Sequence, residues 1–341
     1  MRSIAVNGRF LCETRVTGVQ RYAIELCKAL LPRLAGEGIE LVLLAPKGKL
    51  PPLDWGARIV QADRAVHVYG WEQLVLPRMV RSVGADLLWS PCNLGPLGVA
   101  RQVVTIHDAS VFVHPEWFDW RFALLYRLLL PRLARRALRV LTDSHSSARD
   151  LVRHGVVPPG KLTVVYSGVG FPQARSSTVL PRPLPEPYLL TVSSLEPRKN
   201  LTRLLGAWTR IQALGALPEH RLVVVGASAR VFSGGALGDT LPPKVIAVGY
   251  VSEEELRRYY YWADAFVYPS LYEGFGLPPL EAMLFAKPTL VSDIASLREV
   301  CGDAALYCDP LSVEDIIGGV LRLATEEALR ARLSSLAAAR A

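Results

Sequence analysis

The sequence predicts an α/β chain of two doubly wound domains, each a parallel sheet covered by helices on both faces. Short apolar, β-branched runs alternate with helix-like stretches along the whole chain. That alternation breaks once, at a proline-rich segment. At 341 residues the chain is also too long for one ordinary core and suits two of about 150–170 residues.

In the first half the apolar runs are 39–45, 85–89, 102–106, 138–142 and 161–166, after an opening strand and turn at residues 1–8. Helix-like stretches lie between them at 18–35, 70–83 and 121–137. Phe171 to Pro187 then carries prolines at 172, 181, 183, 185 and 187. Proline fixes φ and removes an amide donor, so 171–187 reads as a linker. After it the runs resume at 188–193, 221–225, 244–248, 264–268 and 288–291. Nearly continuous apolar runs of this length suit parallel strands buried on both faces. The expected organisation is a first domain at 1–170 and a second at 188–341, facing each other across a cleft. Ligands of such sheets bind at the carboxyl ends of the strands.

Composition narrows the function classes. Half the residues are hydrophobic and 21% are charged, which excludes a disordered chain. No apolar run reaches the roughly 18 residues of a membrane span. The opening residues show no basic-then-apolar leader, so a cytoplasmic protein is expected. Five cysteines (Cys12, Cys27, Cys92, Cys301, Cys308) show no paired spacing, which suggests free thiols and no zinc site. Residues 1–175 hold 23 Lys and Arg against 13 Asp and Glu, net +10, and residues 176–341 hold 16 against 18, net −2. A basic first half calls for an acidic partner. No helix-turn-helix, RNA-binding aromatic motif or zinc spacing accompanies it, so nucleic acid is not expected.

Four constellations carry chemistry. The strand at 264–268 runs into Tyr272-Glu273-Gly274-Phe275-Gly276-Leu277, with Glu281 beyond. A helix is expected to start near Leu277, placing the amides of Gly274, Phe275 and Gly276 where a phosphate is favoured. Glu273 and Glu281 flank that anion site and suit hydroxyls of a ribose and a transferred sugar; the alternative is a pair of surface charges. Ser193-Ser194-Leu195-Glu196-Pro197-Arg198-Lys199-Asn200 follows the first strand of the second half. Arg198 and Lys199 there could neutralise a diphosphate, or stand as a solvated pair. Thr105-Ile106-His107-Asp108 ends a strand, with His107 either facing the cleft or satisfied inside the fold. Gly18, in Thr17-Gly18-Val19-Gln20-Arg21-Tyr22, lets backbone approach a ligand before a helix.

Together these four elements resemble family 4 of the retaining glycosyltransferases, which have the GT-B fold, over nearly the whole chain. The resemblance implies that Glu273, with the amides of Phe275 and Gly276, contacts hydroxyls of the donor sugar. It places Glu281 on the ribose, Lys199 with Arg198 on the diphosphate, and Gly18 near that diphosphate from the other domain. His107 would sit over the sugar near its 6-hydroxyl, and Tyr250 and Val251 would frame the base. Asp108, Ser194, Gly274 and Leu277 complete the implied donor contacts, and His107, Lys199 and Glu273 are the implied catalytic residues. Two departures stand out. Many relatives carry Gly-Arg where this chain has Ser193-Ser194, so Arg198 is the expected substitute. Relatives also continue beyond the equivalent of Leu336–Ala341 into a last helix that crosses back, which is expected to be absent.

The implied reaction is a same-face, ion-pair-like displacement in which the leaving diphosphate takes the acceptor's proton. No metal or cofactor is expected: cations and a helix terminus stabilise the leaving charge, and no D-x-D-like pair ends a strand. The resemblance points to bacterial polysaccharide mannosyltransferases, with GDP-mannose as first donor and UDP-glucose as second. The acceptor would be a glycan or lipid-linked glycan at the inner face of the membrane. Two rival classes remain: a hydrolysing sugar-nucleotide epimerase, which needs no EPRKN and E-x7-E together, and a non-catalytic two-lobed binding protein. Finally, Arg132, Arg135, Arg136 and Arg139 fall on one helical side, and Leu129, Leu130, Leu133, Ala134 and Ala137 on the other. Those arginines either face an anionic membrane surface, making the protein peripheral, or are simply solvated.

Overall fold

The computed structural model describes residues 2–13, 17–50, 55–169, 171, 179–226 and 241–341. It forms two compact units, Met1–Gly168 and Val169–Ala341. The first holds β1 (Arg2–Asn7), β2 (Ile39–Ala45), β3 (Arg58–Gln61), β4 (Leu87–Ser90), β5 (Gln102–Thr105), β6 (Arg139–Thr142) and β7 (Leu162–Val164). The second holds β8 (Tyr188–Val192), β9 (Arg221–Val225), β10 (Val245–Gly249), β11 (Ala265–Tyr268), β12 (Thr289–Ser292) and β13 (Ala305–Cys308). All pairings between described strands are parallel, in the orders β3-β2-β1-β4-β5-β6-β7 and β10-β9-β8-β11-β12-β13. Each sheet is thus wound outward in both directions from its first strand. The strand order reverses between β1 and β4 in one and between β8 and β11 in the other, and there a crevice opens outside the carboxyl ends.

The two-residue period of a strand explains the continuous apolar runs. In β2, Leu41 and Leu43 pack with Ala23 and Cys27 of the helix Gly18–Gly36, whereas Val42 and Leu44 pack with Trp71 and Leu76 on the other face. In the second unit Leu189 and Val224 join the cluster of Trp208 and Ile211, while Leu190 and Val223 join that of Tyr260 and Phe285. Serine and aspartate caps start several helices. Ser144 Oγ accepts from Ser147 N at 2.9 Å, and Asp119 Oδ1 accepts from Arg121 N at 3.0 Å.

Some boundaries differ from the sequence reading. The unit boundary falls at Gly168/Val169, and the described part of the Pro-rich stretch packs on the second unit. Phe171 is buried in that core, Leu184 lies against it, and Trp262 Nε1 donates to the Leu180 carbonyl at 2.7 Å; residues 172–178 of the stretch lie outside the described residues. The helix at 121–137 runs Trp120–Arg136, through Pro131. Arg139 is therefore not on the helix: it is the first residue of β6, its Nη1 donating to the Gly160 carbonyl at 2.5 Å. Arg132, Arg135 and Arg136 are exposed on the helix, and Leu130, Leu133, Ala134 and Ala137 are buried, with Leu129 half-buried. The last helix, Glu327–Arg340, packs on the second unit through Leu333 and Ala337, and Arg340 donates to the carbonyls of Val300 and Glu299, each at 2.8 Å. Among the described residues no helix is long and apolar enough to cross a membrane.

Candidate active site

In the second unit, two loops meet at the reversal of strand order. One follows β8 and holds the short 3-10 turn Pro197–Lys199; the other follows β11 and leads to the helix Leu277–Leu284. Asn200 fastens them. It sits in the left-handed region at φ 57°, and its Nδ2 donates to the carbonyls of Pro269 and Pro310, both at 2.8 Å. Leu271 N donates to the Arg198 carbonyl at 2.7 Å. So placed, Lys199 Nζ lies 2.8 Å from Glu273 Oε1 and 2.7 Å from the Tyr268 hydroxyl. The Tyr268 hydroxyl in turn donates to Glu273 Oε1 at 2.8 Å. Lys199 and Glu273 side chains are 11% and 7% exposed. Burial lowers the Lys199 pKa and Glu273 pulls it back up, with a net lowering. Burial, then the Glu273 charge, holds the Tyr268 phenol protonated well above its ordinary range.

The implied sugar-binding carboxylate and the implied diphosphate cation are thus each other's partners here. Arg198 is also engaged: its Nε is 2.5 Å from Glu196 Oε2, and Ser194 Oγ donates to Glu196 Oε1 at 2.7 Å. Burial works against the Glu196 carboxylate, but Arg198 and the two hydrogen bonds outweigh it and lower its pKa. Gly276 lets the chain turn into the helix. Its φ is +110°, and a Cβ there would meet Leu297 Cδ2 at 2.5 Å. Gly274 precedes it in the loop, Phe275 is buried in the core, and Leu277 is the first helical residue, with prolines at 278 and 279. Glu281 is buried one turn on, and its Oε2 accepts from the Tyr260 hydroxyl at 2.8 Å. At the end of β10, Tyr250 is exposed and Val251 packs on the core.

The first unit has its own cluster at the β1/β4 reversal. Asn7 ends β1; its Nδ2 donates to Glu72 Oε2 at 2.8 Å and its Oδ1 accepts from Trp71 Nε1 at 3.1 Å. Glu72 stands on a π-helical turn, Trp71–Val75. Arg9 Nε lies 3.4 Å from Glu72 Oε1, with the side chains 19% and 1% exposed. Burial pushes the Glu72 carboxyl up to about 7, against the opposing pull of Arg9 and Asn7. Two strands along, His107 follows β5. Its Nε2 is 2.8 Å from the Pro91 carbonyl and its Nδ1 2.6 Å from Asp143 Oδ2, while Tyr22 meets the ring edge-on at 4.9 Å. A carbonyl only accepts, so Nε2 carries a proton, and the short contact holds a second proton between Nδ1 and Asp143. Burial opposes the charged ring, yet Asp143 raises its pKa overall. Both ring nitrogens of His107 are thus engaged inside the unit, as in the second of the two readings of its sequence. Asp108 Oδ1 accepts from Ser110 N at 2.8 Å and from its hydroxyl at 2.5 Å. Gly18 opens the helix Gly18–Gly36 as expected, with Gln20 Oε1 accepting from Thr17 N at 3.0 Å.

Sequence reasoning assigned no role to Tyr268, Asn200, Asp143, Arg9 or Glu72. Asp143 and Tyr268 each stand at a strand's carboxyl end, a signal that could have found them. Glu72 sits inside a helix-like stretch, where a lone glutamate carries no signal.

Comparison with known proteins agrees with this architecture. The family model "Glycosyltransferase Family 4" matches residues 16–170 and "Glycosyl transferases group 1" matches residues 173–340. The chain is 32% identical over 253 residues to O-antigen chain mannosyltransferase B of Escherichia coli, covering 69% of this chain and 64% of that protein, just under two thirds of its length. It is 31% identical over 264 residues to O-antigen chain mannosyltransferase RfbU of Salmonella typhimurium, covering 77% of this chain and 68% of that one. Among solved structures, WaaG, a glycosyltransferase involved in lipopolysaccharide biosynthesis, matches with a TM-score of 0.74 at 16% identity, over 99% of this chain and 94% of its own. The chain therefore belongs to glycosyltransferase family 4 and has the GT-B fold.

Proposed function

We propose that this protein transfers a hexose, mannose in the first instance, from a nucleotide-diphosphate sugar to a glycan or lipid-linked glycan of a bacterial surface polysaccharide. The observation that carries this is the buried Lys199–Tyr268–Glu273 triad beside the helix opened by Gly276, at the reversal of the second sheet. The named activity of the O-antigen relatives favours mannose. An arriving diphosphate gives Lys199 a second anion besides Glu273, and the helix start adds amide donors to it. Charge that grows on the departing diphosphate then meets a preorganised cation. Glu273, relieved of part of its partner, takes sugar hydroxyls; Glu281 takes the ribose. The reaction keeps the anomeric configuration because the leaving diphosphate accepts the acceptor's proton on the departing face, and it needs no metal because Lys199 and the helix start stabilise the leaving charge. A donor screen by nucleotide release tests this, with GDP-mannose and UDP-glucose among the donors, EDTA as one arm, and the anomeric outcome read by NMR. Release from GDP-mannose that survives EDTA and gives a retained product is expected. An inverted product, or complete loss restored by Mg²⁺, would overturn the mechanism.

The same reading places the first unit at an anionic membrane surface. Along the helix Trp120–Arg136, Trp120, Leu124 and Leu128 are exposed at four-residue spacing, beside exposed Arg121, Arg127, Arg132, Arg135 and Arg136. An apolar edge flanked by arginines suits the boundary of an anionic bilayer, where each Arg is worth about 1 kcal/mol. Sedimentation with anionic vesicles should be salt-sensitive and should fall when Arg132, Arg135 and Arg136 become Gln. Equal binding to neutral vesicles would remove the membrane assignment alone.

A further inference from the structure

We infer that Arg9, held from beneath by Glu72, is a phosphate-binding residue of the first unit, at the β1/β4 reversal. In the proposed function this unit takes the acceptor, and the inference rests on that reading by naming the group the acceptor would present. Four observations converge. The first is position: Asn7, which ends β1, and Cys92, just past the end of β4, bracket the place where a doubly wound sheet takes its ligand. The second is construction. Glu72 is 1% exposed and is tied to Asn7 by a 2.8 Å hydrogen bond, and Asn7 is tied to the Trp71 indole. A carboxyl group anchored that firmly fixes the guanidinium beside it. The third is incompleteness. Arg9 meets Glu72 Oε1 at 3.4 Å through Nε, and that oxygen has no hydrogen-bond partner. Among the described residues, the two terminal nitrogens of Arg9 donate no hydrogen bond to the protein. A half-buried guanidinium whose outer edge is unspent presents the planar fork that matches a phosphate. The fourth is the π-helical turn that carries Glu72: such turns are uncommon, cost regular helix hydrogen bonding, and occur often at functional sites.

A phosphate here could come from the acceptor or from the donor's diphosphate, and two titrations tell them apart. Octyl phosphate is titrated calorimetrically into the full chain saturated with GDP, with octyl glucoside as the neutral amphiphile control. GDP alone is titrated in parallel. Arg9→Gln should weaken octyl phosphate binding about 10- to 100-fold, the worth of a charged hydrogen-bonded contact. GDP affinity should hold, and Arg9→Lys should retain part of the phosphate affinity as a point charge. Loss of GDP affinity instead, with octyl phosphate unchanged, would assign Arg9 to the donor's diphosphate and overturn the acceptor assignment. Unchanged affinity for both ligands, or equal binding of octyl glucoside, would overturn the phosphate site. An unaltered melting temperature in Arg9→Lys guards against a folding artefact. Wild-type turnover with GDP-mannose is scored separately: its absence sinks the donor reading, and octyl phosphate titrated into the chain without GDP then keeps the Arg9 test interpretable.

Discussion

Each unit pairs a cation with a buried glutamate where its strand order reverses, and the two pairs are built differently. Lys199 and Glu273 are in full hydrogen-bond contact at 2.8 Å, with a tyrosine hydroxyl closing the triangle. Arg9 and Glu72 stand 3.4 Å apart, and one Glu72 oxygen takes no hydrogen bond. The Lys–Glu–Tyr set is closed on itself, so a ligand must compete with an internal partner for Lys199. The Arg–Glu set is left half made, and its half-buried cation keeps hydrogen-bonding capacity to spare. A closed pair suits a charge needed only as a leaving group departs, since it is held in place beforehand. An open pair suits static recognition.

The largest expected effect breaks the closed pair. Lys199→Ala should lower transfer about 100- to 1000-fold, by analogy with loss of one oxyanion donor. It should also destabilise the unit by about 3–5 kcal/mol, because Glu273 is left as a lone buried charge. The double change Lys199→Ala with Glu273→Gln should recover most of the melting temperature and none of the turnover. Recovery of turnover as well would show that Lys199 serves only to neutralise Glu273.

The two glutamates of the second unit sharpen the contrast. Glu273→Gln releases Lys199 from its partner, so nucleoside diphosphate affinity should hold or improve while turnover falls roughly 100-fold. Glu281→Gln should weaken the same ligand about tenfold, the worth of a charged hydrogen bond, with a smaller change in turnover. Calorimetric titration of both variants decides, and equal losses of affinity would remove the division of labour.

The remaining effect, on stability alone, concerns Glu72. Its folded carboxyl is raised from 4.5 to about 7 by burial, so the native state holds a proton that the unfolded chain has already released. Its stabilising contribution is complete below the unfolded value and is lost as pH rises through about 7. The loss is on the order of 3 kcal/mol at most. Glu72→Gln should flatten the fall in melting temperature between pH 5 and 8. An unchanged slope would mean that Arg9 keeps the carboxylate charged throughout.

Much of this was legible from sequence. The strands with continuous apolar runs fell where expected, because burial on both faces leaves little room for polar residues. β3, Arg-Ile-Val-Gln, and β13, Ala-Leu-Tyr-Cys, were not read; each lies at a sheet edge, where one side is open and the run is short. The residues of the second site were legible because Gly276 needs a positive φ and the glutamates flank it. Their pairing was not, because Lys199 and Glu273 are brought together by the neighbouring order of β8 and β11, which no local pattern encodes. For His107 a satisfied environment was one of two readings, but its partner was not legible: Asp143 follows β6, next in the sheet and distant in sequence. Arg9 and Glu72 were invisible for the same reason, lying either side of β2 and β3.

Asn200 has a bearing on how such enzymes can be re-engineered. Its backbone takes a left-handed turn, which glycine would tolerate more easily, yet its side chain ties the Pro197–Lys199 turn to two other segments of the unit. The loop is therefore not a portable cassette. Grafting Glu196–Asn200 from another donor specificity would carry the charges but not their anchorage, unless the segments around Pro269 and Pro310 travel with it.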